Sequence, residues 1–103
     1  MVEVAIYNKE LLKLYTVGKS KKYRIPPQVL TSFFEVVEIL KAAKDIYDLW
    51  KEPSLNFKHL VNSKARYSLR LSGKYRLEVS IDWENEQKTI GIICIEEISS
   101  HYS

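Results

Sequence analysis

The 103-residue sequence has little cysteine, glycine or proline, and each shortage excludes a class of protein. Cys94 is the only cysteine, which excludes an internal disulfide and a multi-cysteine zinc site. Three glycines and three prolines are too few for an extensively disordered chain. No apolar run approaches the roughly 18 residues that a membrane helix needs. With 46% hydrophobic and 28% charged residues, we expect one globular domain over residues 1–103.

The first residues, MVEVAIYNKE, also lack the basic and apolar regions of a secretory signal. We therefore expect a cytoplasmic protein with no membrane partner. The sequence contains no Walker loop, dinucleotide fingerprint, nucleophile elbow or HExxH motif, so we expect no cofactor. His59, His101 and Cys94 do not have the spacing of a zinc site.

The net charge of +3 is unevenly distributed along the chain. Residues 1–25 carry six basic and two acidic side chains, and residues 26–55 carry three basic and five acidic ones. Residues 56–76 hold six basic residues and no acid, whereas residues 77–103 hold one lysine and six acids. A stretch of this length without a carboxylate suggests a local site for an anion. The alternative is a solvated surface of loop and strand.

The apolar periodicity predicts an α+β fold. Residues 2–6 alternate as in a short strand, and Asn8 is placed to cap a short helix that closes near Gly18. Pro26 and Pro27 suit the start of a long amphipathic helix that ends near Trp50. From residue 66 onward, the apolar residues recur with a period of two instead. Strands are predicted over residues 66–71 and 75–83, and a nearly continuous apolar run at residues 89–95 predicts an interior strand covered on both faces.

The hairpin between the first two of these later strands has a register that can be derived from the sequence. A two-residue loop would place Leu69 opposite Arg76, whereas a three-residue loop places it opposite Leu77. Burial of one face selects the second arrangement, because a slip of one residue inverts every side chain. Arg70 then lies opposite Arg76, with Arg66 farther along the same face.

Like charges placed directly opposite each other are unfavourable unless an anion lies over them. The hydrophobic pattern therefore points to an anion site at the paired arginines. The alternative is neutralisation from within the protein, since Glu78, Ser80 and Asp82 follow on the same face.

A phosphodiester of RNA is an anion that such residues can both hold and cleave without a metal. The neighbouring 2′-OH supplies the nucleophile, so the protein has to move two protons and stabilise the charge on the phosphoryl oxygens. Histidine and tyrosine can exchange protons, and arginine binds phosphate with a fixed bidentate geometry.

Three segments resemble the HigB-type killer toxins of the RelE/ParE superfamily. They are LNFKHL at residues 55–60, YSLRLSGKYRL at residues 67–77 and IEEISSHY at residues 95–102. The similarity covers the last half of the chain. The sequence departs from the family pattern at three places. Leu60-Val61-Asn62 stands where the family has L-K-G, so Lys58 or Lys64 would have to replace that lysine. Ala65-Arg66 replaces the glycine that often precedes the first aromatic strand, and the terminal order is His-Tyr instead of Tyr-His.

The resemblance implies a RelE-like α+β fold in the order β-α-α-β-β-β, with two N-terminal helices on a small, mainly antiparallel sheet. The implied activity is ribosome-dependent cleavage of mRNA without a metal. The implied partners are the ribosome, mRNA and a cognate helix-turn-helix antitoxin, through which the protein would reach operator DNA.

The resemblance also implies which residues form the site. The predicted catalytic residues are Arg76, which would grip the scissile phosphate, with Arg70, His101, Tyr102 and His59. The predicted RNA-binding residues are Lys58, Lys64, Arg66, Tyr67 and Lys74. We expect Arg76→Ala to reduce cleavage strongly with little loss of fold stability.

Two other functions remain open at the level of the sequence. The first is a non-catalytic binder, either a ParE-like gyrase poison or a degenerate toxin that only binds its antitoxin. The second is a general nucleic-acid-binding module. The His101-Tyr102 pair argues against the ParE branch, which lacks the ribonuclease residues.

Overall fold

A computed structural model describes residues 2–60 and 66–100 of the chain. Three helices and one five-stranded sheet occupy these residues, which confirms an α+β fold. The elements in chain order are β1 (Glu3–Ala5), α1 (Lys9–Val17), α2 (Pro27–Ala42), α3 (Tyr47–Trp50), a 3₁₀ turn (Pro53–Leu55), β2 (Lys58–His59), β3 (Arg66–Arg70), β4 (Arg76–Trp83) and β5 (Gly91–Ser99).

The ends of α1 confirm the sequence prediction. The Asn8 side-chain oxygen accepts hydrogen bonds from the backbone N–H groups of Glu10 and Leu11, at 3.0 and 3.2 Å. These bonds satisfy two of the donors that the first turn of a helix leaves free. Gly18 ends the helix in the left-handed conformation at φ 85°, which glycine adopts without a steric penalty.

The prediction of one helix from the prolines as far as Trp50 is wrong. The predicted start is correct, because α2 begins at Pro27. However, α2 ends at Ala42 because Ala43 is extended, with ψ 135°. The Asp48 carboxylate then accepts a hydrogen bond of 2.9 Å from the backbone N–H of Lys44. These residues form a corner, and the short α3 follows it.

The sheet has the strand order β1-β5-β4-β3-β2. Strand β1 pairs parallel with β5, and the other neighbours pair antiparallel, so the sheet is mixed. The predicted order of elements lacks the two-residue strand β2 and the short helix α3. The interior position of β5 is confirmed, but its coverage on both faces is not, because Ile92 and Cys94 are only half-buried.

The core lies between the helices and one face of the sheet. Leu11, Phe33 and Leu40 from the helices join Leu69 and Val79 from the sheet in one buried cluster. We call this side of the sheet the apolar face and the other side the open face. No helix in the described ranges is long and apolar enough to cross a membrane.

Candidate nucleic-acid interface

The hairpin of β3 and β4 has the register that the sequence predicts. Leu69 pairs with Leu77 and Tyr67 with Val79, while Arg70 pairs with Arg76. Because side chains alternate along a strand, both arginines lie on the open face. The prediction that burial of one face brings these two cations together is confirmed.

The two paired arginines differ in their exposure. Arg70 is exposed and has no hydrogen-bond or ion-pair partner among the described residues, whereas Arg76 is only 7% exposed. The Nε of Arg76 donates to the Oγ of Ser68 at 3.1 Å, and a terminal nitrogen donates to the carbonyl oxygen of Asn56 at 2.9 Å. Arg76 thus connects the segment before β2 to the sheet.

This burial changes the expectation for Arg76→Ala. A buried side chain whose loss leaves a carbonyl and a hydroxyl without their partners cannot be removed at little cost in stability. The contact of Arg76 with a phosphate stays a prediction.

Arg66 is paired within the protein. One of its terminal nitrogens contacts Glu97 at 2.8 Å and Glu78 at 3.2 Å. Burial alone would lower the pKa of Arg66, but the hydrogen bonds to Glu97 and Glu78 and the nearby charge of Glu96 outweigh burial, so the pKa is raised. Neutralisation from within the protein, the alternative that the sequence left open, therefore applies at Arg66.

A β-bulge in β5 accounts for the placement of Glu96 near these carboxylates. Glu78 pairs with Glu97, yet the next residue, Val79, pairs with Ile95, so Glu96 is the extra residue in β5. Glu96 accepts a hydrogen bond of 2.6 Å from Ser80 on the open face. Strict alternation would turn one of the two consecutive glutamates toward the core, where an unpaired carboxylate is costly. The bulge directs both to the open face.

The open face is consequently polarised across its strands. Among the described strand residues, its cations lie on β2, β3 and the adjacent end of β4, at Lys58, Arg66, Arg70 and Arg76. Its carboxylates lie on β4, β5 and β1, at Glu78, Asp82, Glu96, Glu97 and Glu3. Within the described strands, the charge distribution therefore favours an anion at the edge formed by β2 and β3.

Fully buried Ser68 lies at the centre of this cationic edge. Lys58 is its direct partner on β2, and Arg66 and Arg70 are two residues away along β3 on the same face. Cross-strand diagonal neighbours are about 7–8 Å apart, a distance that long side chains span. Lys74 adds an exposed cation from the hairpin loop. The structure thus brings together four of the predicted residues, Lys58, Arg66, Arg70 and Arg76, at one edge.

His59 and Tyr67 do not join this group, because their register places them on the apolar face. Their ring centroids are 4.9 Å apart. Tyr67 also stacks on Phe57 at 5.2 Å with an interplanar angle of 8°, and the edges of Trp50 and Trp83 contact it. Tyr67 is therefore packed within an aromatic cluster, on the side of the sheet away from Arg70.

Three predicted site residues, Lys64, His101 and Tyr102, lie outside the described residues. Within the described ranges, no group of three or more His, Cys, Asp or Glu side chains is placed to hold a metal ion. Burial and the charge of Glu96 raise the pKa of Cys94, which favours the neutral thiol and fits a packing role.

A second basic cluster, outside the predicted site, lies on the connection between α1 and α2. It consists of Lys13, Lys19, Lys21 and Arg24, which line one surface pocket together with Ser20. The run of cations at residues 19–24 was the available sign, but charge alone does not reveal that Lys13 of α1 completes the pocket.

No protein-family model matches the chain, and no curated protein matches it.

Proposed function

We propose that the chain is the toxin of a type II toxin–antitoxin pair, a RelE-like endoribonuclease that cuts mRNA on the ribosome without a metal. The observation that carries the proposal is the placement of Arg70 opposite Arg76 on the open face, with Lys58 beside them. A cationic edge of this kind suits a phosphate, and the resemblance to the HigB-type toxins in residues 55–60, 67–77 and 95–102 supports the same reading.

The proposed reaction uses few protein groups. A base takes the proton of the 2′-OH, the 2′-oxygen forms a bond to phosphorus, and the bond to the 5′-oxygen breaks as an acid protonates that oxygen. The products are a 2′,3′-cyclic phosphate and a 5′-hydroxyl. Arg70 is the exposed guanidinium that stabilises the charge on the phosphoryl oxygens, and Arg76 shapes the site beneath it. His101 and Tyr102 remain the candidates for the proton transfers.

Control of this activity is proposed to come from a helix-turn-helix antitoxin that also takes the complex to operator DNA. The sign of the charges is compatible with that partner, because an acidic segment of an antitoxin would be attracted to the same cationic edge. Co-expression with the protein encoded next to the gene tests this part: the partner should restore growth and co-purify with the chain.

The central experiment is induced expression in bacteria, followed by primer extension on a translated message. The wild type should arrest growth and produce new 5′ ends, and Arg70→Ala should reduce cleavage at least tenfold. Lys44→Ala is the matched control, because this exposed lysine lies far from Arg70, at the corner after α2. Two residues later, the backbone N–H of Ile46 donates to the carbonyl of Thr89, at the other end of the sheet. Equal cleavage by Arg70→Ala and the wild type would refute the site.

One observation favours a second candidate, a non-catalytic binder. Arg66 and Arg76 form hydrogen bonds within the protein, which leaves fewer guanidinium groups for a substrate. This candidate predicts growth arrest, or antitoxin binding alone, without any new 5′ ends. A gyrase supercoiling assay with the purified chain separates the ParE-like form, which inhibits gyrase, from the degenerate form.

A further inference from the structure

The connection between α1 and α2 forms a pocket with a strongly positive lining. Four of its five lining residues are cations, and we call it the connection pocket (Lys13, Lys19, Ser20, Lys21 and Arg24). Lys13 belongs to α1, and Lys22 adds a fourth exposed cation to the loop that carries the other three.

The loop that carries these cations is held in place by Ser20. Its hydroxyl oxygen accepts hydrogen bonds from the backbone N–H groups of Lys22 and Tyr23, both at 3.2 Å, and donates to the Glu10 carboxylate at 2.9 Å. Tyr23 is 9% exposed and inserts into the core. The backbone of this loop is therefore fixed before any ligand arrives, which lowers the entropic cost of binding one.

The lining of the connection pocket restricts the kind of ligand that it accepts. The carboxylate of Glu10 is the acidic group bonded to this loop, and it is engaged by Ser20, so a ligand has to neutralise several positive charges. Protein interfaces centre on apolar and aromatic anchors, and the lining residues supply none. A nucleic-acid backbone needs only cations, and lysines bind phosphates as point charges without reading sequence.

A shallow groove connects this pocket to the hairpin of β3 and β4. Lys22, Tyr23 and Arg24 line it together with Tyr75, Ser100 and the carboxylate-bearing Glu97. The Nζ of Lys74 lies 6.0 Å from the centroid of the Tyr75 ring, so this exposed cation of the hairpin loop is next to the groove.

We propose that the connection pocket is a second RNA-binding surface, which holds the phosphodiester backbone of an RNA helix independently of base sequence. The choice of RNA as the polyanion rests on the proposed function. In that setting the pocket anchors the protein to structured RNA, while the edge at Arg70 faces the strand to be cut.

The test is binding of a fluorescent 20-base-pair RNA duplex to the full chain, measured by anisotropy over a range of salt concentrations. The variant is Lys19→Gln, Lys21→Gln and Arg24→Gln together. We expect a loss of affinity of at least tenfold at low salt. The slope of log K against log salt should become shallower by about 2 to 3, since each lost phosphate contact removes about 0.9.

A control variant removes three exposed lysines elsewhere, Lys44→Gln, Lys51→Gln and Lys88→Gln. It has the same net charge as the first variant and should lose less than threefold in affinity. Equal losses in the two triple variants would overturn the proposal, because general charge would then explain binding. Polyglutamate that binds the wild type as tightly as the duplex does, and loses affinity equally in the first variant, would also overturn it in favour of an acidic protein partner.

The failure of the proposed function has a different outcome. If the chain cleaves no translated message, the nuclease proposal fails, while the duplex affinity and its dependence on the connection pocket are still measured. If cleavage occurs but the first triple variant binds the duplex like the wild type, only this inference fails.

Discussion

The Nε of Arg76 donates a hydrogen bond of 3.1 Å to the hydroxyl of Ser68, and both side chains are buried on the open face of the sheet. An arginine in this position determines how β4, β3 and the carbonyl of Asn56 fit together. Arg70, its partner in register, has no such bonds among the described residues. Of these two neighbouring arginines, Arg76 therefore stabilises the fold, and Arg70 is the one exposed to a ligand.

Arg76→Ala should destabilise the protein by about 2–3 kcal/mol, because it leaves the carbonyl of Asn56 and the hydroxyl of Ser68 without their donor. Urea unfolding measures this change. Arg70→Ala is the control and should stay within about 0.5 kcal/mol of the wild type, as expected for an exposed side chain. Equal stability of the two variants would mean that the buried hydrogen bonds of Arg76 contribute nothing.

Arg70→Ala and Lys58→Ala should weaken RNA binding without unfolding the protein. Each removes an exposed cation beside Ser68, and we expect a loss on the order of tenfold for Arg70, the equivalent of about 1.4 kcal/mol. The loss for Lys58 should be smaller, since lysine does not bind phosphate in a bidentate manner. Anisotropy with a single-stranded RNA measures both, and Lys44→Ala should bind like the wild type.

Glu97→Gln should strengthen RNA binding by about two- to fivefold, because it releases Arg66 from its shorter ion pair, and partly exposed pairs are worth about 0.2–1 kcal/mol. Glu86→Gln, an exposed change in the loop between β4 and β5, controls for net charge. The gain should disappear in an Arg66→Gln background. A gain that persists there would show that Arg66 is not the group released.

Cys94 should react slowly with iodoacetamide at pH 8 in the folded protein and quickly in urea. Burial and the negative charge of Glu96 raise the pKa of the thiol above its ordinary value of 9.0. Because the folded state resists ionisation, the contribution of this thiol to stability is complete below pH 9 and is lost as the pH rises through the folded pKa. Cys94→Ala should flatten the decline in stability above pH 9. An unchanged decline would show that Cys94 does not cause it.

The register of the hairpin was predictable because it depends on a binary property. One face of β3 and β4 is buried, and a shift of one residue would place Leu69 opposite a charged residue on that face. Only one loop length avoids this mismatch. The ends of α1 were predictable for a similar reason, since Asn8 and Gly18 act within a few residues of their own positions.

Features that depend on distant contacts were not predictable in this way. The apolar pattern continues through residues 43–46, but the chain turns there because the Asp48 carboxylate bonds to the Lys44 backbone and the Ile46 backbone bonds to the carbonyl of Thr89 at 2.8 Å. The alternation of apolar residues also predicted the face on which Arg76 lies, but it did not predict that the Arg76 side chain is buried.

The bulge at Glu96 explains one difference between the predicted and observed site, the neutralisation of Arg66 within the protein. Alternation assigns one of Glu96 and Glu97 to the core, and the sequence offers no local mark of the extra residue that turns both outward. With both carboxylates on the open face, Arg66 is neutralised and the anion-binding surface shrinks to the edge at Lys58 and Arg70.

The position of β5 between β1 and β4 has a consequence for synthesis of the chain. Because β1 is made first and pairs only with β5, its backbone partners do not exist until residues 91–99 have been translated. The sheet is therefore completed late, only after β5 has been synthesised. A nascent chain truncated before β5 therefore lacks the strand that joins β1 to the antiparallel part of the sheet.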